Sequence, residues 1–338
     1  MKKQLKVTPQ GLPISPKKQL LITISGVFIS LLCTPAVYAE KYPEKPIRII
    51  VNSSPGGQLD VTTRLIAQFM GETLKQPIII ENKPGADGML GIRYAKTVPS
   101  DGYTLLAAAS TITVLPSVKL NPGYDVLTDF SAIGAMVRVP YLMITSSDKP
   151  YKSVSDLINF AKSNPEKVSF SSAGNGTTSH ICSAKFMQQA GIHMLNVPYK
   201  GNAAALPDLI AGRSDMMFDA YGSSGAQIKS GRLRVLAVTS SKRMPQLPNV
   251  PTVAKQGLPN FSYELWLGLL APAGTPKDVL QKLSAALNTA LANPKVIERA
   301  YEEGTEPMPM SPQEFSDLLK TDLTQTSTLV TTLGIKKE

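Results

Sequence analysis

The sequence predicts an α/β protein organised as two domains, on three observations. Apolar runs of strand length alternate with amphipathic runs of helix length along most of the chain. One construction, a short buried strand followed by a loop of small residues and a helix start, occurs twice. The copies stand far apart, on either side of the long segment from Leu74 to Val168. The first reads Ile47-Arg48-Ile49-Ile50-Val51, then Asn52-Ser53-Ser54-Pro55-Gly56-Gly57, then a helix from about Leu59 to Leu74. The second reads Val168-Ser169-Phe170, then Ser171-Ser172-Ala173-Gly174-Asn175-Gly176, then a helix from about Thr178 to Ala190. The first turn of a helix has backbone N–H groups without intrahelical acceptors and a partial positive charge, which suits an anion. Glycine lets the backbone approach a ligand closely. Two such loops in two domains fit a small anion held between them. Two ordinary strand-to-helix turns would leave the same pattern.

The remaining elements follow in order. Leu65, Ile66, Phe69, Met70 and Leu74 share one face of the first helix. Ile78–Ile80 and Tyr103–Ala109 are strands, separated by the loop Asn82–Gly88 and a helix that would contain Gly91. Tyr141–Ile144 is a strand, and Ser153 caps a helix to about Ser163 with Asp156 three residues on. Strands at Val168–Phe170, Leu195–Val197, Asp215–Phe218 and Val235–Val238 alternate with short helices at Leu206–Ala211 and Gly225–Ser230. Pro245, Pro248, Pro251 and Pro259 mark an irregular connection. Thr275-Pro276 starts a helix to about Ala292 with Leu280, Leu283, Leu287 and Leu291 on its apolar side, and Ser311-Pro312 starts the last helix.

The N-terminus has the pattern of a cleaved secretory leader. Lys2, Lys3, Lys6, Lys17 and Lys18 precede an apolar stretch from Leu20 to Leu32, and Val37 and Ala39 stand three and one residues before a cut after Ala39. Cys33 falls in the discarded part, and Leu32 before it is too bulky for lipoprotein processing. Cleavage leaves Glu40–Glu338, enough for two domains, and lowers the formal charge from +10 to +5. A modest positive charge fits an acidic ligand, and the absence of a dense basic run with aromatics excludes a nucleic-acid partner. Cys182 alone remains, so no internal disulfide forms. A periplasmic location and a monomer are expected.

Several segments, in order, resemble one family. They are Lys45–Val51, Pro55-Gly56-Gly57 with Asp60, Glu81–Ala86, Asp101–Leu106, Ser172–Gly176 with Ser179-His180, and Val197–Gly201. Asp215–Asp219, Leu236–Ser240 and Leu270–Pro276 continue the series. Together they resemble the extracytoplasmic solute receptors of tripartite tricarboxylate transporters, the Bug-type receptors. The resemblance runs from about Tyr42 to the C-terminus. It implies a two-lobed, type II-like periplasmic binding protein with a carboxylate in the interlobe cleft and membrane transporter subunits as partners. Lobe 1 would comprise residues 42–140 and 264–338, and lobe 2 residues 141–263. Carried over by position, Ser54, Gly56, Gly57, Ser110 and Thr111 would line the cleft from lobe 1. Ala173, Gly174, Asn175, Gly176 and Ser179 would line it from lobe 2, bordered by His180 and Tyr199, with Asp219 at a strand end. The chain departs from the pattern at Asn52-Ser53-Ser54, where an apolar stretch rich in proline and phenylalanine is usual, at Ile181, and at Glu264 and Leu267 beside Trp266.

Other readings compete for single residues. His180 either donates to a ligand or packs inside its domain, and His193 is structural or exposed. Asp60 in the first turn of its helix favours the dipole there, and would repel an acid if it faced the cleft. Asp60, Asp219 and Glu264 facing inward would suit an amino-acid ligand. Trp266 forms a cleft wall or hinge-side core, and Met216 and Met217 fill core space. Two histidines and one cysteine without clustering make no zinc site, and no cofactor motif is present. A secreted serine hydrolase is the alternative from another class, but Ser179 and His180 are adjacent on a helix and so diverge, and Gly222-Ser223-Ser224-Gly225 lacks the spacing of a nucleophile elbow. A receptor signalling to a membrane sensor kinase would carry the same binding site.

Overall fold

The computed structural model describes residues 42–199 and 201–337; the leader, its cut site and Cys33 lie outside them. Strands β1 (Ile47–Val51), β2 (Ile78–Asn82) and β3 (Thr104–Ala109) are parallel, with β1 in the middle. A middle strand is buried on both faces, which explains its continuous apolar run: Ile47, Ile49, Ile50 and Val51 are fully buried. Its one charge is held by both neighbours, since Arg48 donates to Glu81 on β2 at 3.2 Å and to Thr104 on β3 at 3.3 Å. Helix α1 (Gln58–Leu74) buries Ile66, Ala67, Phe69 and Met70 and ends at Lys75 in the left-handed conformation.

Helix α2 (Met89–Ala95) packs close to the first loop. A Cβ at Gly91 would lie 2.8 Å from the Lys83 carbonyl and 2.9 Å from Asn52 Cα, so only glycine fits that approach. Helix α3 (Thr111–Val118) is absent from the sequence prediction because its β-branched residues and internal Pro116 argue against a helix. Pro116 cannot donate to the Ile112 carbonyl one turn back. The buried Tyr124 hydroxyl donates to that carbonyl instead, at 2.7 Å.

Strand β4 (Phe130–Ser146) is far longer than the predicted Tyr141–Ile144. It changes partners at Pro140. Phe130–Pro140 pair antiparallel with β9 (Glu264–Pro272), which also pairs with β3. Tyr141–Ser146 pair with β7 (Met216–Ala220) and β8 (Leu233–Val238). Strands β5 (Ser169–Ser172) and β6 (Leu195–Pro198) complete the order β2-β1-β3-β9-β4-β7-β5-β6. The prediction also lacked β9. Its Gly268 interrupts an apolar run and makes room for Phe315, whose ring would lie 2.3 Å from a Cβ there, while Trp266 packs edge-on against the same ring at 5.1 Å.

Helix α4 (Val154–Ser163) is capped as expected, with Ser153 Oγ accepting from Asp156 N–H at 3.0 Å. Helix α5 is Thr178–Ala190. Helices α6 (Asn202–Ile210) and α7 (Tyr221–Lys229) each start a turn before the predicted Leu206 and Gly225. Gly-Asn and Gly-Ser-Ser-Gly read locally as turns, but packing overrides them, as where Gly225 faces the Tyr221 ring. Helices α8 (Lys277–Leu291), α9 (Pro294–Glu303) and α10 (Pro312–Thr332) follow, with the short β10 (Glu306–Pro307) before α10. Ser311 and Glu314 form a reciprocal capping box at α10. One core gathers around Phe170, Phe186, Phe218 and Phe261, with Met216 fully buried among them. Another gathers around Ile50, Leu106, Trp266 and Phe315. Among the described residues no helix is long and apolar enough to cross a membrane.

Candidate functional site

The two loops stand where strands β1 and β5 hand over to helices α1 and α5. In the first, Gly56 has φ +79° and nothing within 4 Å of where its Cβ would be, so its outer side is open. Its N–H donates to Asp60 Oδ2 at 2.9 Å. Asp60 is 2% exposed and also accepts from Arg64 Nε at 3.0 Å and from Asn82 Nδ2 at 2.8 Å. Burial pushes its carboxyl up, but the hydrogen bonds from Arg64, Gly56 and Asn82 outweigh this and hold it below the ordinary value. Asp60 is therefore turned back into its own loop. Gly57 N–H points to the Ser54 carbonyl at 3.4 Å.

The second loop repeats the device with neutral groups. Gly176 N–H donates to His180 Nδ1 at 3.0 Å, and Ala173 N–H donates to Ser179 Oγ at 2.9 Å. His180 lies parallel to the Phe170 ring at 6.0 Å, and burial lowers its pKa. Gly174 has φ +132°, open almost only to glycine, and a Cβ there would lie 3.4 Å from the Tyr199 carbonyl. Asn175 Oδ1 accepts from Asn196 Nδ2 at 2.9 Å. The Ser179 hydroxyl is occupied by its loop and His180 Nδ1 by Gly176, so the pair makes no nucleophile–base couple.

The loops' own amides are thus largely committed to holding the loops. The donors that remain for an anion are the first-turn N–H groups of α1, α3 and α5, which have no intrahelical acceptor.

The expected site residues fall into separate groups. Ser54 and Thr111 share a cavity of about 330 Å³ with Asn52, Ser53, Leu59 and Ala109. Asn175, Gly176 and His180 share one of about 430 Å³ with Val118 and the C-terminal Leu333–Lys337. Ser110 lines a third, of about 720 Å³, with Trp266, Arg138 and Lys185. Tyr199 spends its hydroxyl on Asp208 at 2.7 Å, which raises its pKa. Asp219 is 1% exposed, accepts from Asn202 Nδ2 at 2.6 Å and from Ser223 Oγ, and burial raises its pKa. Glu264 lines the third cavity and is raised likewise by burial. Among the described residues no cluster of three or more histidine, cysteine or acidic side chains could hold a metal ion.

Packing also brings together residues the sequence reading did not single out. A Cβ on Gly222, in the first turn of α7, would lie 3.9 Å from Gln58 Nε2 in the first turn of α1 and 3.6 Å from the Glu303 carbonyl. Gln58 Nε2 is buried without a hydrogen-bond partner. A Cβ on Gly176 would lie 3.0 Å from Val118 of α3. Neither contact has a local sequence signal, because each joins segments far apart in the chain.

The parallel strand–loop–helix units joined by the two long strands β4 and β9 define a mixed α/β periplasmic binding protein fold, and solved structures bear this out. The periplasmic binding protein BugD is 36% identical, with TM-score 0.76, covering 88% of this chain and all of that one. Rpa4515 of R. palustris, solved with adipate, is 31% identical, with TM-score 0.79 and the same coverages. MatC of Rhodopseudomonas palustris, solved with bound malate, is 28% identical, with TM-score 0.74, covering 86% of this chain and all of that one. Residues 62–335 match the family model described as tripartite tricarboxylate transporter family receptor, and the chain belongs to that family. It is a family of solute-binding proteins, not of enzymes.

Proposed function

We propose that this protein captures a small organic acid in the periplasm and delivers it to a tripartite tricarboxylate-type membrane transporter. The leader pattern supports export, and the family supports the partner. In this reading residues 42–140 with 264–338 form one lobe and 141–263 the other, with β4 and β9 as the connections. The acid lies between the first turns of α1 and α3 on one side and α5 on the other. Ser54, Gly56, Gly57 and Thr111 face it from the first lobe, and Ala173 to Gly176 from the second.

The observation that carries the reading is that side chains lock both loops. Asp60, Ser179 and His180 fix the loop backbones before any ligand arrives, so the helix-start donors are already oriented and binding loses little entropy to ordering. Neighbours solved with adipate and malate make dicarboxylates the first candidates. The test is a thermal-shift screen of the exported chain against dicarboxylates, aromatic acids, amino acids and the matching diamides. An acid at about 100 times its Kd should stabilise the fold by about 2.7 kcal/mol, while its diamide should not. Stabilisation by diamides and acids alike would remove the anion from the account.

A further inference from the structure

The largest of the three cavities takes no part in the reading above, and its lining shares no residue with either loop cavity. It lies beside β9, among α3, α5 and α10. Its volume of about 720 Å³ is that of a small-molecule site. Two polar groups in its wall lack hydrogen-bond partners. Ser110 is 4% exposed, and its Oγ is buried with no hydrogen-bond partner. Arg138 Nε is also buried without a partner, and the guanidinium approaches Glu264 only to 3.9 Å, beyond hydrogen-bond reach. Lys185 Nζ donates to the Ser262 carbonyl at 2.6 Å and lies near the rings of Phe261 and Tyr263. Asp322, the other acid in the wall, already accepts from Thr113 at 2.7 Å and Trp266 at 3.0 Å. The rest of the wall mixes apolar Val114, Leu265, Leu318 and Leu329 with threonine and glutamine side chains of α10.

We propose that this cavity is a second ligand site, for a small carboxylic acid with an apolar body. The carboxylate supplies acceptors to Arg138, Lys185 and Ser110, and the body lies against the leucines and the Trp266 ring. Buried donors without acceptors are costly, and a carboxylate on a guanidinium is among the stronger hydrogen-bonded pairs. The proposal is independent of what the Gly-rich loops bind.

Trp266 is the only tryptophan in the chain and lines this cavity, so its fluorescence reports on the site directly. The probe is octanoate, with octan-1-ol as the uncharged control. Octanoate should change Trp266 emission saturably, and octan-1-ol should bind at least tenfold more weakly. Arg138→Gln and Lys185→Met should each weaken octanoate at least fivefold; a variant that loses its native circular dichroism is replaced by Ser110→Ala, which should weaken it about threefold. No saturable response, equal binding of the alcohol, or unchanged octanoate affinity in the folded variants would overturn the proposal.

Discussion

The two Gly-rich loops share a plan and differ in how they are held. In each, the side chain four residues after a glycine reaches back to accept that glycine's N–H: Asp60 for Gly56 and His180 for Gly176. The first clamp is a buried carboxylate tied to Arg64 and Asn82. The second is an imidazole against Phe170, with Ser179 holding a further amide. The surroundings differ too, since Gly56 is open on its outer side and Gly176 is pressed against Val118. One geometry is thus reached by a charged and by a neutral route. The first loop should respond to salt and to strong acid, and the second to changes of volume and to mild acid.

The largest effect should come from volume in the second loop. Gly174→Val forces a β-branched residue to φ +132°, beside the Tyr199 carbonyl. It should lower stability by about 1–3 kcal/mol in urea unfolding and abolish acid binding. Gly56→Val, at φ +79° but in open space, should cost less stability. Equal costs would mean that the two loops are packed alike.

Asp60→Ala should come next. It removes the acceptor of the Gly56 amide and one acceptor each from Asn82 and Arg64, which keep the Ser53 carbonyl and each other, at a cost of about 1–2 kcal/mol at pH 7. Because the folded pKa of Asp60 is depressed, the unfolded chain binds more protons as pH falls below the unfolded carboxylate value of about 3.9. The stabilisation is whole above that value and is lost as pH falls through the lower folded one. Asp60→Ala should therefore flatten the stability profile below about pH 4. An unchanged acid limb would mean that the folded pKa of Asp60 is not depressed.

His180→Gln should have the smallest effect, about 1 kcal/mol or less, because an amide oxygen can still accept from Gly176. Burial depresses the folded pKa of His180, so its protonation favours the unfolded chain. Wild type should lose stability as pH falls below the unfolded histidine value of about 6.5, and His180→Gln should lose less over pH 6.5 to 5. Identical slopes would place His180 in contact with solvent.

Much of this was legible in the sequence, and the reason differs by element. Strand β1 announced itself because a central parallel strand must be apolar on both faces. Both loops were visible because glycine, serine and asparagine between a strand and a helix have few other uses. The pattern did not show that the loop amides are spent within the loops, because serine, histidine and aspartate at a helix start read equally as ligand groups. Strand β4 was hidden beyond Tyr141 because Pro140 suggests a break, whereas it marks the point where the strand exchanges β9 for β7 and β8. Helix α3 was hidden because the replacement for Pro116's missing hydrogen bond comes from Tyr124, outside the helix. The separation of Ser110 from its neighbour Thr111 into different cavities follows from packing alone.

The most direct test of the central claim is a crystal structure with the acid that gives the largest thermal shift. The account predicts its carboxylate oxygens about 2.7–3.1 Å from first-turn amides of both α1 and α5, with Asp60 and His180 still bonded to Gly56 and Gly176. No carboxylate at either loop, with the acid held only by side-chain cations such as Arg138 and Lys185, would contradict it.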